Sequence, residues 1–304
     1  MRYVVGYSAN ARGRDAVNLA VALARGRGAS LDLVLVVPEV QQSAAAHAPK
    51  AGFEKLLNEQ AGQWLDEALA LVPDDVPAQG HVRTGDSDAQ TLIDAAEDLG
   101  ADILVIGATS SGLFKRFSIG SVASALLHAS TVPVALAPHG YHRKDALTRI
   151  SCGLGTRAGA GKLLDFAIGM AANRKVPLRV VSLQALDGGD PAAAVGAARE
   201  HAEKTVAAAA PVSPAGIPLA AATEVVVAQG RSIEEAVDSL DWEDGEVLVI
   251  GSSRLAQARS IFLGSTANRV LRALPVPMLV VPSGYELKPE IPATSTDTSR
   301  EALQ

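Results

Sequence analysis

Residues 101–138 read ADILVIGATSSGLFKRFSIGSVASALLHASTVPVALAP, and residues 245–282 read GEVLVIGSSRLAQARSIFLGSTANRVLRALPVPMLVVP. The second stretch is the first displaced by 144 residues (245 − 101) without a gap. Leu104, Val105, Ile106 and Gly107 return as Leu248, Val249, Ile250 and Gly251. Gly120, Ser121, Val132, Pro133 and Pro138 return as Gly264, Ser265, Val276, Pro277 and Pro282. Each copy reads as a strand, a Gly- and Ser-rich loop, a short helix and a second strand. The first apolar run is continuous and rich in β-branched residues, as a strand buried on both faces requires. Val122, Leu126 and Leu127 give one apolar helix face. The last strand is short, apolar and bounded by prolines, which suits a sheet edge. A period of domain size marks a tandem duplication and not a solenoid.

With 304 residues, the duplication divides the chain into domains at 1–142 and 143–287, each long enough for its own core. The polar bridge YHRKDALT at 141–148 separates them. The segment 288–304 has Pro, Thr and Ser but little to bury, so it is expected to be disordered. A formal charge of −6 argues against a nucleic-acid binder, which needs a basic face. No apolar run reaches the roughly 18 residues of a membrane span, and the N-terminus enters a strand at once. The single cysteine, Cys152, excludes an internal disulfide and lies in an apolar run, where a small buried thiol is expected. A cytoplasmic protein is the expectation.

Outward from the quoted stretch, strands and helices alternate. In the first half, strands are expected over 2–7, 30–37 and 79–84. Helices are expected over 11–25, 53–71 and from Gly85-Asp86-Ser87-Asp88 to Leu99, with a loop at 38–50. The second half repeats the order, with strands over 147–154, 177–183 and 223–228 and helices over 159–173, 191–210 and 232–240. The implied class is α/β, two tandem doubly wound domains, each with a five-stranded parallel sheet and about four helices. In such sheets ligands bind beyond the carboxyl ends of the strands, where the strand order reverses. With the order 3-2-1-4-5, that point lies between the first and fourth strands, at the Gly/Ser loop. Free N–H groups and the helix dipole there favour a phosphate or another anion. Gly107 and Gly120 would let backbone approach the anion, and Ser121 and Ser265 would add hydroxyls. Lys115, Arg116, Arg254 and Arg259 would supply countercharge.

The pattern G-x-x-G, nine residues, then G-S/T resembles the nucleotide loop of the universal stress protein family. Gly107, the nine residues 111–119 and Gly120-Ser121 fit it in the first half; Gly251, 255–263 and Gly264-Ser265 fit it in the second. The chain is similar to the tandem two-domain form over nearly its whole length, including the third-strand exits at Gly85 and Gly230. The resemblance implies the 3-2-1-4-5 order and dimerisation through the last strands. In one branch of the family it also implies ATP held without fast turnover. It further places Val122 and Thr266 beside the loop serines, and adenine against the main chain near Val36 and Leu183. Two departures stand out. The middle glycine is Ser110 in one loop and Arg254 in the other, and the Asp that would meet the ribose is replaced by Ser8 and Gly155.

Other readings compete. Gly120-Ser121 and Gly264-Ser265 could be plain helix caps worth about 1 kcal/mol, but the full nine-residue span kept in both loops favours an anion site in at least one half. Ser110, smaller than Arg254, inclines that choice to the first half. Gly153-Leu154-Gly155-Thr156-Arg157-Ala158 matches a dinucleotide fingerprint only weakly. The histidines show no metal-ligand spacing, and His139 and His142 read as solvated. The acidic cluster 241–244 reads as solvated surface. No catalytic set is evident. The expectation is a regulator that binds an adenine nucleotide such as ATP, or a smaller phosphate ligand. The alternatives are a dimerising stress protein with degenerate pockets and a slow ATPase. The last strands, 132–136 and 276–281, are expected to pair, either within the chain or in a homodimer.

Overall fold

A strand covered by helices on both faces has no solvent side to pattern, so its sequence is apolar throughout. The runs around Leu104 and Leu248 fill that role. We describe a computed structural model over residues 1–39, 50–110, 117–118, 120–155, 159–185, 191–209, 223–253 and 261–285; the side chains of 50–54, 109–110 and 117–118 are outside the description. The loop expected at 38–50 falls largely, and the tail expected at 288–304 wholly, outside the described residues.

The first half runs β1 (Arg2–Tyr7), α1 (Ala11–Ala24), β2 (Ser30–Val37), α2 (Lys50–Leu69), β3 (Ala78–Thr84), α3 (Asp88–Asp98) and β4 (Ile103–Gly107). It continues with β5 (Thr109–Ser110), β6 (Phe117–Ser118), α4 (Ser121–Ala129) and β7 (Val134–Ala137). The second half runs β8 (Arg149–Gly153), α5 (Ala160–Arg174), β9 (Leu178–Ala185), α6 (Pro191–Ala208) and β10 (Glu224–Gly230). Then come α7 (Ile233–Asp238), β11 (Glu246–Gly251), α8 (Ser265–Ala273) and β12 (Met278–Val281). The β5–β6 pair, in which Thr109 meets Ser118 and Ser110 meets Phe117, is an addition that no periodicity announced. Two-residue strands are too short to carry one.

All ten long strands form one sheet in the order β10-β9-β8-β11-β12-β7-β4-β1-β2-β3. Each half keeps the order 3-2-1-4-5. Every neighbour is parallel except β7 and β12, which run antiparallel with Leu136 opposite Met278 and Val134 opposite Val280. The two last strands therefore meet at the centre of the sheet, and each covers the other's edge. Both start later than the sequence suggests, just past Pro133 and Pro277. A proline has no N–H to extend the ladder. Their carbonyls still accept from Leu104 N (2.9 Å) and Leu248 N (3.0 Å).

Alternation of side chains divides the core into two large clusters, with a small third one of Val181, Ala228, Ala236 and Leu240 beside β9 and β10. One apolar cluster takes Val5, Leu33, Val105, Ala135, Leu279, Val249, Cys152 and Val180 under α1, α2, α5 and α6. The other takes Val4, Val34, Leu104, Leu136, Met278 and Leu248 under α3, α4, α7 and α8. Each cluster crosses from one half into the other. Cys152 is fully buried, as a small apolar residue in a central strand should be, and burial pushes its thiol up to about 12. Among the described residues no helix is long and apolar enough to cross a membrane.

Candidate functional site at the two switch points

In each half the strand order reverses between the first and fourth strands, β1 with β4 and β8 with β11. Helices α1, α4, α5 and α8 begin at these two points. Their first turns expose N–H groups that need acceptors. Asn10 caps α1, its side chain accepting from Arg12 N (3.0 Å) and Gly13 N (3.3 Å). Gly120, Gly159 and Gly264 stand at the N-caps of α4, α5 and α8 and offer no side-chain acceptor. Away from the switch points, Ser87 caps α3 and Ser232 caps α7. Ser121 and Ser265 are thus the first helical residues and not the caps that one sequence reading allowed. Both are exposed, as is Thr266, while Val122 is half-buried.

The two crevices differ. In the first half Gly107 packs against the start of α1. A Cβ there would lie 2.1 Å from the Arg12 carbonyl oxygen, so the glycine is needed where β4 meets the first turn of α1. Ser8 is drawn into the same turn, its hydroxyl donating to Asn10 Oδ1 (3.1 Å) and its carbonyl accepting from Asn10 N (2.7 Å). In the second half a Cβ on Gly251 would meet only the Leu163 side chain, at 3.5 Å. Gly155 is exposed.

Val36 lies one residue before the end of β2, half-buried against the α3–α4 core. Leu183 sits two residues inside β9, packed between two apolar clusters. Ser110 belongs to the β5–β6 pair by its backbone. Lys115, Arg116, Arg254 and Arg259 lie outside the described residues, as do Thr156, Arg157 and Ala158 of the possible dinucleotide fingerprint.

The approach to Gly264-Ser265 is held from across the molecule. Ile261 N donates to Ser130 O (3.0 Å) and Leu263 N to Leu127 O (3.1 Å), carbonyls at the C-terminal end of α4. Phe262 N donates to Ser252 Oγ (2.8 Å), Ser253 N donates to Phe262 O (2.8 Å), and the Phe262 ring meets His128 edge-on at 5.1 Å. Nothing in residue spacing could have paired a loop of one half with a helix end of the other.

Sequence reasoning also missed the three carboxylates that are buried among the described residues. Asp15 on α1 is 5% exposed and accepts from Gly140 N (2.9 Å) in the turn after β7, with His139 Nδ1 at 3.8 Å. Burial raises its carboxyl above the usual range, against the opposing pull of the Gly140 N–H, His139 and Arg14. At the amino ends of the strands, fully buried Asp32 accepts from Gln79 Nε2 (2.6 Å) and lies 2.8 Å from His81 Nε2. Glu246, also fully buried, accepts from Arg149 (2.6 Å), Arg179 (2.7 Å), Glu243 N (3.0 Å) and the Ser151 hydroxyl. The acids of the run 241–244 are exposed, as expected, and two of them also pair with arginines. Glu243 pairs with Arg149 and Asp244 with Arg143, and the Asp241 carbonyl accepts from both Arg149 and Arg179. Among the described residues no three His, Cys, Asp or Glu side chains are grouped to hold a metal.

A cleft of about 400 Å³ opens at the exit of β3, lined by Arg83, Thr84, Gly85, Asp86, Ser87, Gln90, Thr91, Asp94, Ala95 and Asp98. Three carboxylates against one guanidinium make it a poor host for phosphate.

Comparison with known proteins agrees with this architecture. The model of the universal stress protein family matches residues 1–138 and again 147–282. Universal stress proteins of Mycobacterium tuberculosis and Mycobacterium bovis are 34% identical to the chain over 294 residues, covering 93% of it and 100% of their own length. The crystal structure of a universal stress protein from Archaeoglobus fulgidus superimposes with a TM-score of 0.66 at 18% identity, covering 93% of this chain and 98% of that one. Two family matches end to end, over two doubly wound halves, make this chain a tandem member of the universal stress protein family.

Proposed function

We propose that the chain is a cytosolic stress-response regulator that binds an adenine nucleotide, ATP among the candidates, or a smaller phosphate-bearing ligand. Binding takes place at a switch point and proceeds without fast turnover. One observation carries this reading. Helices α4 and α8, which begin at the switch points, start on a glycine with no side-chain cap, whereas α3 and α7, which begin elsewhere, are capped by serines. An uncapped helix start leaves N–H groups to solvent or to an anion, and the helix dipole favours the anion. A cap would have been worth about 1 kcal/mol to each of these helices. Family membership supports the same reading, since one branch holds ATP at the matching loop. Missing ribose and middle-glycine positions point to a ligand held mainly by backbone N–H groups.

The test is a thermal melt with ATP, run beside an assay for released phosphate. At a hundredfold excess over Kd, bound ligand stabilises by about 2.7 kcal/mol, a rise of several degrees in Tm. The expected result is that rise, with phosphate release at background. An unchanged Tm at millimolar ATP, with adenosine and inorganic phosphate also silent, would leave only the degenerate, non-binding alternative. Phosphate release well above background would instead promote the slow ATPase.

A further inference from the structure

Each switch-point loop is closed twice, once inside its own half and once by the other half. The inner closure is the same in both copies: Thr109 meets Ser118 in the β5–β6 pair, and 144 residues on (253 − 109) Ser253 N donates to Phe262 O (2.8 Å). The outer closure crosses the molecule. Leu127 O and Ser130 O lie at the C-terminal end of α4, where a helix runs out of its own N–H donors. Ile261 and Leu263 supply those donors, and both side chains are buried in the apolar cluster of Leu126 and Leu127. Phe262 between them lies edge-on to the exposed His128 ring. The duplication makes the arrangement mutual, because Phe117 occupies the place of Ile261 and α8 lies against β6. Helix α4, nine residues and about 13 Å long, thus starts at one Gly-Ser pair and ends on the segment that leads into the other.

From this crossing we infer that the two switch points are coupled, so that a change at either loop is felt at the other. The device has two states. Docked, residues 261–263 sit on α4 with both cross-half bonds made. Released, they give up both bonds together with the burial of Ile261 and Leu263, so partial docking gains little. Helix α8 and β6 close the same circuit in the reverse direction. The inference rests on the ligand-binding reading above and adds its regulation. A ligand that orders one loop steadies the helix on which the other loop rests, and by linkage each site raises the affinity of the other by the same factor. Coupling of this kind needs both halves in one chain, which gives the duplication a role beyond a second copy of a pocket.

Amide hydrogen exchange on the full-length chain without ligand tests this, with one variant in each half. His128→Ala removes the ring that Phe262 meets, and His128 is exposed, so the fold survives. Asn268→Ala removes the amide that reaches Leu263 O (3.3 Å) and Gly264 O (3.4 Å). The reporters are two matching first-turn amides, Ser124 N donating to Gly120 O (2.9 Å) and Asn268 N donating to Gly264 O (3.0 Å). One shared opening predicts that His128→Ala speeds exchange at Ile261, Leu263 and Asn268 by a common factor of about threefold or more. Asn268→Ala should do the same at Ile261, Leu263 and Ser124, with β2 and β9 unchanged in both. An effect that stops at the half of origin, or that spreads equally over β2 and β9, would overturn the coupling, as would no effect. ATP at millimolar concentration separates this from the parent reading: protection gained at Ser124 and Asn268 together supports both, and protection at one alone overturns the coupling. No protection at either overturns ligand binding there, while the ligand-free variants still decide the coupling.

Discussion

Glu246 shows how much a single side chain can hold at the closed end of the sheet. Its carboxylate is fully buried and accepts from two guanidinium groups, one of which, Arg179, also lies 5.0 Å from the centre of the Trp242 ring. Neutralising one member of such a set leaves the others charged and unpaired, at a cost of about 3–5 kcal/mol. Glu246→Gln should therefore lower the unfolding free energy from denaturant titration by that much, and a loss below about 1 kcal/mol would contradict the burial. Asp15 behaves oppositely. Its folded-state pKa lies above the unfolded value, so the carboxyl is tolerated while protonated, and its burden grows as pH rises through the carboxylate range. Asp15→Asn can still accept from Gly140 N. The difference in Tm between variant and native chain should then shift in the variant's favour from about pH 4 toward neutrality, and a difference flat with pH would refute the assignment. Neither residue was legible in the sequence. Glu246 closes an acidic run and Asp15 follows Arg14, so neither stands out, and only the fold reveals the partners, which lie 67 and 97 positions away for Glu246 and 125 for Asp15. Gly107 was legible as a glycine position, but the Arg12 carbonyl that crowds it belongs to another element and was not.

Elements were the most readable level. The strands around Leu104 and Leu248 announced themselves because burial on both faces leaves no polar position, and α3 because Ser87 supplies an acceptor just ahead of an apolar period. What escaped was whatever depends on a few residues: the β5–β6 pair, the late starts of β7 and β12, and the hold of α4 on residues 261–263. The last of these is testable. Ser252 Oγ accepts from Phe262 N, and removal of the hydroxyl strands that donor inside the loop. Ser252→Ala should cost about 1–3 kcal/mol. Faster amide exchange should appear at Phe262, with Ile261 and Leu263 following because the same segment carries them. Exchange unchanged across 261–263 would show that the contacts to α4 hold the loop by themselves.

On the scale of the whole molecule, the antiparallel meeting of β7 and β12 joins two parallel sheets into one, and both apolar clusters run through the junction. Duplication made the two halves legible from residue identities alone; their union was left open between intramolecular pairing and a homodimer, because edge strands of either kind have the same composition. A shared core predicts one cooperative unfolding transition by calorimetry, and two separated transitions would show that the halves are stable independently. With both last-strand edges covered inside the chain, the chain should elute as a monomer in sizing chromatography, and a stable dimer would require some other surface. The same continuity connects the two switch points through α4, so function and architecture are read together by titrating the intact chain. Isothermal titration calorimetry with ATP is the most direct measurement: a saturable isotherm is the predicted result, and the absence of heat at millimolar ATP would contradict ligand binding at the switch points.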